Sequence, residues 1–251
     1  MSVIDNEEIR CIILEKYELA KSSCVNESQN FGQDVSNNIP KYDIKEMKFG
    51  AYNKDNFVSF FADMRGSSIR AENIGEKDTF LTIHAIMPAM IYVVEQYGGS
   101  IVDLPGDGIM ALFKDNIYEI YWYKTGQYLN SEELAVCAGR DFLKVIKEIV
   151  NPILEEDNIL PVEFGVGIDT GNVIVTKVGT DNIRDIKAIG RCINGAAKRS
   201  GCKSKIFITS NVYKKLSTNL QEEFIEVDDR MKKTYQDEIK EFDGYINDMG
   251  E

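Results

Sequence analysis

Two apolar runs, SIVD at 100–103 and IMALF at 109–113, stand either side of LPGDG, and helical repeats flank them on both sides. Asp-Gly between apolar runs is a strong short-range signal for an antiparallel turn. Upstream, Phe80, Ile83, Met87, Ile91 and Val94 recur at helical spacing over about 76–97. Downstream, Leu134, Cys137, Ala138, Phe142, Val145, Ile146 and Ile149 do the same over about 131–151. Another β-prone run, 57–62, precedes the first helix. A chain in this order must lay helices against an antiparallel sheet, because each helix has one apolar face to bury. The expectation is an α+β fold of βαββαβ order with extra strands.

The ends are less regular. Residues 1–22 carry a helical pattern through Ile9, Ile12, Ile13, Tyr17 and Ala20, and a polar stretch runs on to Pro40. The chain therefore divides into an N-terminal helix and arm, 1–50, and a main domain, 51–251. Within the latter, VEFGVGIDTGNVIVTKVG places two apolar runs around Asp-Thr-Gly-Asn and predicts a second hairpin. A small-residue helix, INGAAKRS, and a strand, KIFITS, follow. The acidic tail from Gln221 holds one basic knot, Arg230, Lys232 and Lys233, read as a solvated face or else a contact to phosphate.

Composition narrows the chemistry. A net charge of −12 argues against a nucleic-acid-binding surface, so an anionic ligand would need cations or local basic groups to neutralise it. A single histidine, His84, rules out multi-histidine zinc sites, and its place on an apolar helix face suits a packed side chain. The cysteines (Cys11, Cys24, Cys137, Cys192, Cys202) form no CxxC pair and the start lacks a signal-peptide pattern, which fits reduced thiols in the cytoplasm. The longest apolar tract is too short to span a bilayer.

Chemistry must then rest on carboxylates, lysines and metals. The run FVSFFADMRGSS ends a buried-type strand on Asp63, and Asp107 sits in the GDG turn. Either acid alone suits a cap or turn. On neighbouring strand ends, the two can bind a pair of divalent cations ~3.5–4 Å apart. Gly66, Ser67 and Ser68 offer backbone N–H groups at a helix start, where phosphate binds.

FVSFFADMRGSS, GGSIVDLPGDGIMALF, VEFGVGIDTGNV and RDIKAIGRCINGAAKR follow one another in the order of the class III nucleotide cyclase catalytic domain, and over roughly Phe57 to Tyr213 the chain resembles that family. The resemblance implies a ferredoxin-like palm in which Asp63, Asp107 and the backbone carbonyl of Met64 hold two Mg²⁺ or Mn²⁺ ions per site. It implies attack of a nucleoside triphosphate's 3′-hydroxyl on its own α-phosphate, with release of pyrophosphate and a 3′,5′-cyclic nucleotide. It also implies that Asn194 orients the ribose, that Lys198 stands where the family has a transition-state arginine, and that Arg184 lies near the phosphates. Lysine keeps the charge but loses the bidentate fork. Arg199, next door, points elsewhere on a regular helix. Family sites form between chains, so a head-to-tail homodimer with shared sites is implied.

Two family positions that read the base are Asp103 and Lys187 here. A carboxylate acceptor beside an ammonium donor satisfies uracil, cytosine or guanine, and adenine less well. The DMRGSS spelling and the short N-terminal arm are similar to the pyrimidine cyclases of Pycsar antiphage defence, which implies UTP, then CTP, as substrate, a preference for Mn²⁺ and a separate cyclic-nucleotide effector. The aromatic cluster Tyr118, Tyr121, Trp122, Tyr123 and Tyr128 packs a hairpin or the core, the alternatives being a base clamp or dimer arm. A P-loop is excluded because GAAKRSGCKS has the wrong glycine spacing. A non-catalytic nucleotide-binding domain of the same fold stays open because of Lys198.

Overall fold

A computed structural model describes residues 2–26, 48–114, 128–180, 184–229, 231–232 and 243–247. The elements run α1 (Asn6–Asn26), β1 (Tyr52–Met64), α2 (Ser67–Gln96), β2 (Ser100–Asp103), β3 (Ile109–Phe113), α3 (Ser131–Val145) and, after one π-helical turn, α4 (Asn151–Glu156). There follow β4 (Phe164–Gly179), β5 (Arg184–Ile189), α5 (Arg191–Arg199), β6 (Ile206–Ile208), α6 (Ser210–Tyr213), α7 (Thr218–Gln221), β7 (Phe224–Glu226) and β8 (Tyr245–Asn247). The sheet order is β2-β3-β1-β4-β6-β8-β7, with β5 paired to β4. Its first four strands are the antiparallel palm expected of βαββαβ, and the remainder are the extra strands.

The period of two along β1 decides what each face carries. Val58, Phe60, Ala62 and Met64 join the larger core, under α1, α2 and α3. Phe57 and Phe61 turn the other way, to Met110, Leu112, Val173, Val175 and the α5 residues Cys192 and Ile193. Ser59 shares that second face and donates to Cys192 Sγ at 3.4 Å. Asp63 is the next residue of the odd series, so the strand itself aims it toward the α5 side.

α5 lies almost on the backbone of β4. A Cβ built on Gly167 would overlap the Ala196 carbonyl, and one on Gly165 would overlap the carbonyls of Ser200 and Cys202. Any side chain at these positions would lift the helix off the sheet.

The predicted hairpin at Asp-Thr-Gly-Asn does not form. β4 runs straight through it, paired with β1 at every residue from Tyr52↔Thr176 to Met64↔Phe164. What changes there is the second neighbour: β6 pairs Val166 to Ile168 in parallel, and β5 pairs Ile174 to Gly179 antiparallel. Asp169 does not cap a turn of its own. Its Oδ1 accepts from Thr170 N and Thr209 Oγ1, each at 2.8 Å. A partner strand of 13 residues outweighs local turn propensity.

α2 is interrupted at Gly75, whose φ of 79° and ψ of 174° lie outside helical space, so the long helical repeat starts near 76 as the periodicity predicts. α1 buries Ile9, Ile13, Tyr17 and Ala20 in the main core. Tyr17 donates to Asp157 at 2.9 Å, Lys21 to the same carboxylate at 2.7 Å, and Tyr92 to Glu8 at 2.7 Å. His84 packs against Phe80, ring centroids 4.4 Å apart, on the α1 side of α2. No described helix is long and apolar enough to cross a membrane.

Candidate active site

Strand pairing brings the two candidate carboxylates to one edge. Ala62 of β1 lies opposite Ile109 of β3, so Asp63 and the GDG turn leave the ladder side by side. Asp107 is close enough for its charge to raise the proton affinity of Asp63. Burial is the largest influence on Asp63 and lifts its carboxyl above the usual carboxylate range; Arg65 opposes this, and Asp107 adds to it. A buried carboxylate with a second acid beside it forms a place where a cation would be stabilised.

Asp107 supplies the test of that idea. Its Oδ2 is buried and has no hydrogen-bond donor. A carboxylate oxygen removed from water without a donor is costly, and a hard divalent cation satisfies it. Among the described residues no group of three or more His, Cys, Asp or Glu gathers. A divalent ion held by a pair of carboxylates such as Asp63 and Asp107 would keep water or substrate oxygens as further ligands.

The turn after β1 passes through Gly66 to Ser67 and Ser68 at the start of α2. Gly66 caps α2 in the left-handed region, φ 68°, and no side chain caps that end of the helix. Met64, Ser67, Ser68, Gly106 and Asp107 line one recess of about 280 Å³. Arg70 bridges its wall, donating from Nη1 to the Pro161 carbonyl at 2.9 Å and from Nη2 to the Leu160 carbonyl.

Asp63 opens onto a different groove, of about 400 Å³, shared with Arg65, Asn194, Lys198 and Gly201 of the same chain. Asn194 and Lys198 are exposed one turn apart on α5. They also edge a larger polar recess of about 800 Å³ with Asp169, Asn172, Arg191 and Ser210. Arg199 does point elsewhere: it is 4% exposed and donates to the Gly195 and Asp243 carbonyls at 3.0 and 2.6 Å. Its guanidinium also lies over the Phe207 ring.

Asp103 and Lys187 are exposed and line none of these recesses. Lys187 Nζ pairs with Asp185 at 2.5 Å, and that pair is what chiefly raises the lysine, with the charge of Asp103 a lesser cause. Arg184 begins β5, and its side chain lies outside the described residues. So do Tyr118, Tyr121, Trp122, Tyr123, Arg230 and Lys233. Tyr128 is exposed, and Lys232 pairs with Asp229 at 3.0 Å. Arg65 was given no role by its sequence context. It sits in the turn just past β1, two residues from Asp63, and that nearness of opposite charges is the signal that could have found it.

No family profile matches the chain. The chain is 28% identical over 200 residues to the uridylate cyclase of Xanthomonas perforans, covering 75% of this chain and 78% of that one. It is 27% identical over 169 residues to the terminal-differentiation-specific adenylate cyclase of Dictyostelium discoideum, covering 65% of this chain and 7% of that one. Other matches at similar identity are named uridylate cyclase or cytidylate cyclase. In structure it matches the adenylyl cyclase CyaB from P. aeruginosa with a TM-score of 0.60 at 20% identity, covering 78% of this chain and 95% of that one. In fold the chain matches class III nucleotide cyclase domains, and in sequence it resembles curated nucleotide cyclases at 24–28% identity. It spans less than two thirds of the length of several curated cyclases that it matches. The mixed sheet and its helices form that fold, and α1 packs into the same core.

Proposed function

We propose that the protein is a nucleotide cyclase that converts a pyrimidine nucleoside triphosphate, UTP before CTP, to its 3′,5′-cyclic monophosphate and pyrophosphate. The observation that carries the reading is the orphaned Oδ2 of Asp107 beside Asp63 at the end of the β1–β3 ladder. Asp63, Asp107 and the Met64 carbonyl would hold the divalent cations, Mn²⁺ or Mg²⁺, which supply Lewis-acid stabilisation of phosphate charge and of the attacking oxygen.

The chain's own groups do the rest. The amides of Gly66, Ser67 and Ser68 bind phosphate oxygens at the start of α2. Asn194 fixes the ribose so that its 3′-oxygen faces the α-phosphorus, which is the main requirement of an intramolecular displacement. A bond forms between the 3′-oxygen and the α-phosphorus, the bond from that phosphorus to the bridging oxygen breaks, and pyrophosphate leaves. The hydroxyl proton passes to solvent. Lys198 stabilises the charge that builds on the phosphates, as a single ammonium rather than a fork. Arg184 lies toward the phosphates, and Asp103 and Lys187 present an acceptor and a donor to the base.

Two chains complete each site, one lending Asp63 and Asp107 and its twin lending Asn194 and Lys198. Uridylate cyclase names among the relatives favour UTP. Resemblance to the Pycsar enzymes supports a cytoplasmic second-messenger role in antiphage defence, read by a separate effector. The test is incubation with each of the four NTPs and Mn²⁺, with detection of pyrophosphate and cyclic product. UTP turnover abolished by Asp63→Ala and by Asp107→Ala is expected; turnover of ATP alone overturns the pyrimidine assignment. A binding-only domain is the second reading, favoured by Lys198 in the arginine position. Silence with every NTP would select it.

A further inference from the structure

Arg65 holds the very oxygens that the proposed function assigns to the cations. Its Nη2 donates to Asp63 Oδ2 and lies 3.5 Å from the Met64 carbonyl. Its Nη1 donates across the groove to the Gly201 carbonyl at 3.1 Å. The side chain is 17% exposed, and its Nε is buried with no hydrogen-bond partner. The backbone is fixed as well, since Arg65 N donates to the Glu163 carbonyl at 2.8 Å. Gly201 lies just past Ser200, the C-cap of α5, the helix that presents Asn194 and Lys198.

We propose that Arg65 is a built-in competitor for the cation site, a positioning residue that occupies Asp63 and the Met64 carbonyl until a divalent ion displaces it, and so ties metal loading to the end of α5. This rests on the cyclase reading above. A guanidinium and a divalent cation repel, and both draw on the same lone pairs, so they do not share Asp63 Oδ2. When the ion binds, Arg65 leaves Asp63. Its hold on Gly201 is then released, because the two bonds come from one rigid planar group. The carboxylate end of β1 and the helix bearing Asn194 thus communicate within one chain.

The experiment is Mn²⁺ binding to the full chain without nucleotide, read by the electron paramagnetic resonance of free Mn²⁺. Arg65→Gln is expected to bind Mn²⁺ about tenfold more tightly than wild type. Lys203→Gln, which removes the same charge from the loop after Gly201, is expected to leave binding unchanged. Equal or weaker binding by Arg65→Gln overturns the proposal and makes Arg65 a support for Asp63. An equal gain from Lys203→Gln also overturns it, as a general field effect. Should Arg65→Gln not fold, Arg65→Lys serves, because a lysine cannot reach Asp63 and Gly201 together. A gain of about threefold is then expected, and no gain overturns the proposal. Binding that Asp107→Ala does not alter would sink the cyclase reading, and this inference with it. Asp107-dependent binding with no gain from either Arg65 variant would sink this inference alone.

Discussion

Gly108 lies so close to Asp63 that a Cβ added to it would stand 3.4 Å from Asp63 Oδ1 and 2.7 Å from the Ala62 carbonyl. The second distance is to backbone, which cannot step aside cheaply. Gly108→Ala should therefore push the GDG turn off the end of β1, costing about 1–3 kcal/mol of stability. Turnover should fall further than stability explains, because the turn carries Asp107. Thermal unfolding and cyclase assays on the same sample check both parts.

Lys198 and Arg199 are neighbours in sequence with opposite surroundings. Lys198→Ala should change the unfolding midpoint little and lower turnover by about a hundredfold, because in the proposed function its exposed ammonium stabilises transition-state charge. Lys198→Arg should restore or raise turnover. Arg199→Ala should lower stability by about 1–3 kcal/mol by stranding the carbonyls that it bonds. Denaturant titration beside steady-state kinetics separates the two.

Asp63, Asn194 and Lys198 share a groove in one chain, yet the proposed site spans two. Mixing inactive Asp63→Ala with inactive Asn194→Ala decides between these arrangements. Random pairing should restore about a quarter of wild-type activity, because each mixed dimer holds one intact site. A mixture that stays inactive would place the whole site within a single chain.

The docking of α1 should depend on acid. The bond from Lys21, with that from Tyr17, holds the Asp157 carboxyl below its ordinary value of 3.8. A depressed carboxylate contributes stability that is complete above 3.8 and drains away as pH falls through the lower, folded value. Amide exchange in α1, corrected for intrinsic rates, should accelerate below that pH before β1 and β4 open. Asp157→Asn should show the faster exchange already at neutral pH.

Most of the palm was legible because its elements are amphipathic: the two long helices and the β2–β3 hairpin appear where their periodicities put them. The turn at Asp-Thr-Gly-Asn failed for a non-local reason. Its conformation is imposed by β1 on one side and by the exchange of β6 for β5 on the other, and neither is written in the four residues. Asp63 and Asp107 could be picked out as strand-end acids, and the odd–even alternation of β1 says which face Asp63 takes. The grip of Arg65 on Gly201 could not be read, since it joins residues 136 apart in the chain. Nor could the differing fates of Lys198 and Arg199 be read beyond helical direction, because burial of the latter depends on Phe207 of β6 and on Asp243, just before β8.

The break at Gly75 leaves the opening turns of α2 poorly connected to the rest of that helix. What anchors them is Arg70, clamped to the carbonyls of Leu160 and Pro161 in the segment between α4 and β4. That segment, some ninety residues downstream, is thereby the foundation on which the Ser67–Ser68 turn rests. Shortening or stiffening it would be felt in the recess beside Asp107 without altering a single residue there.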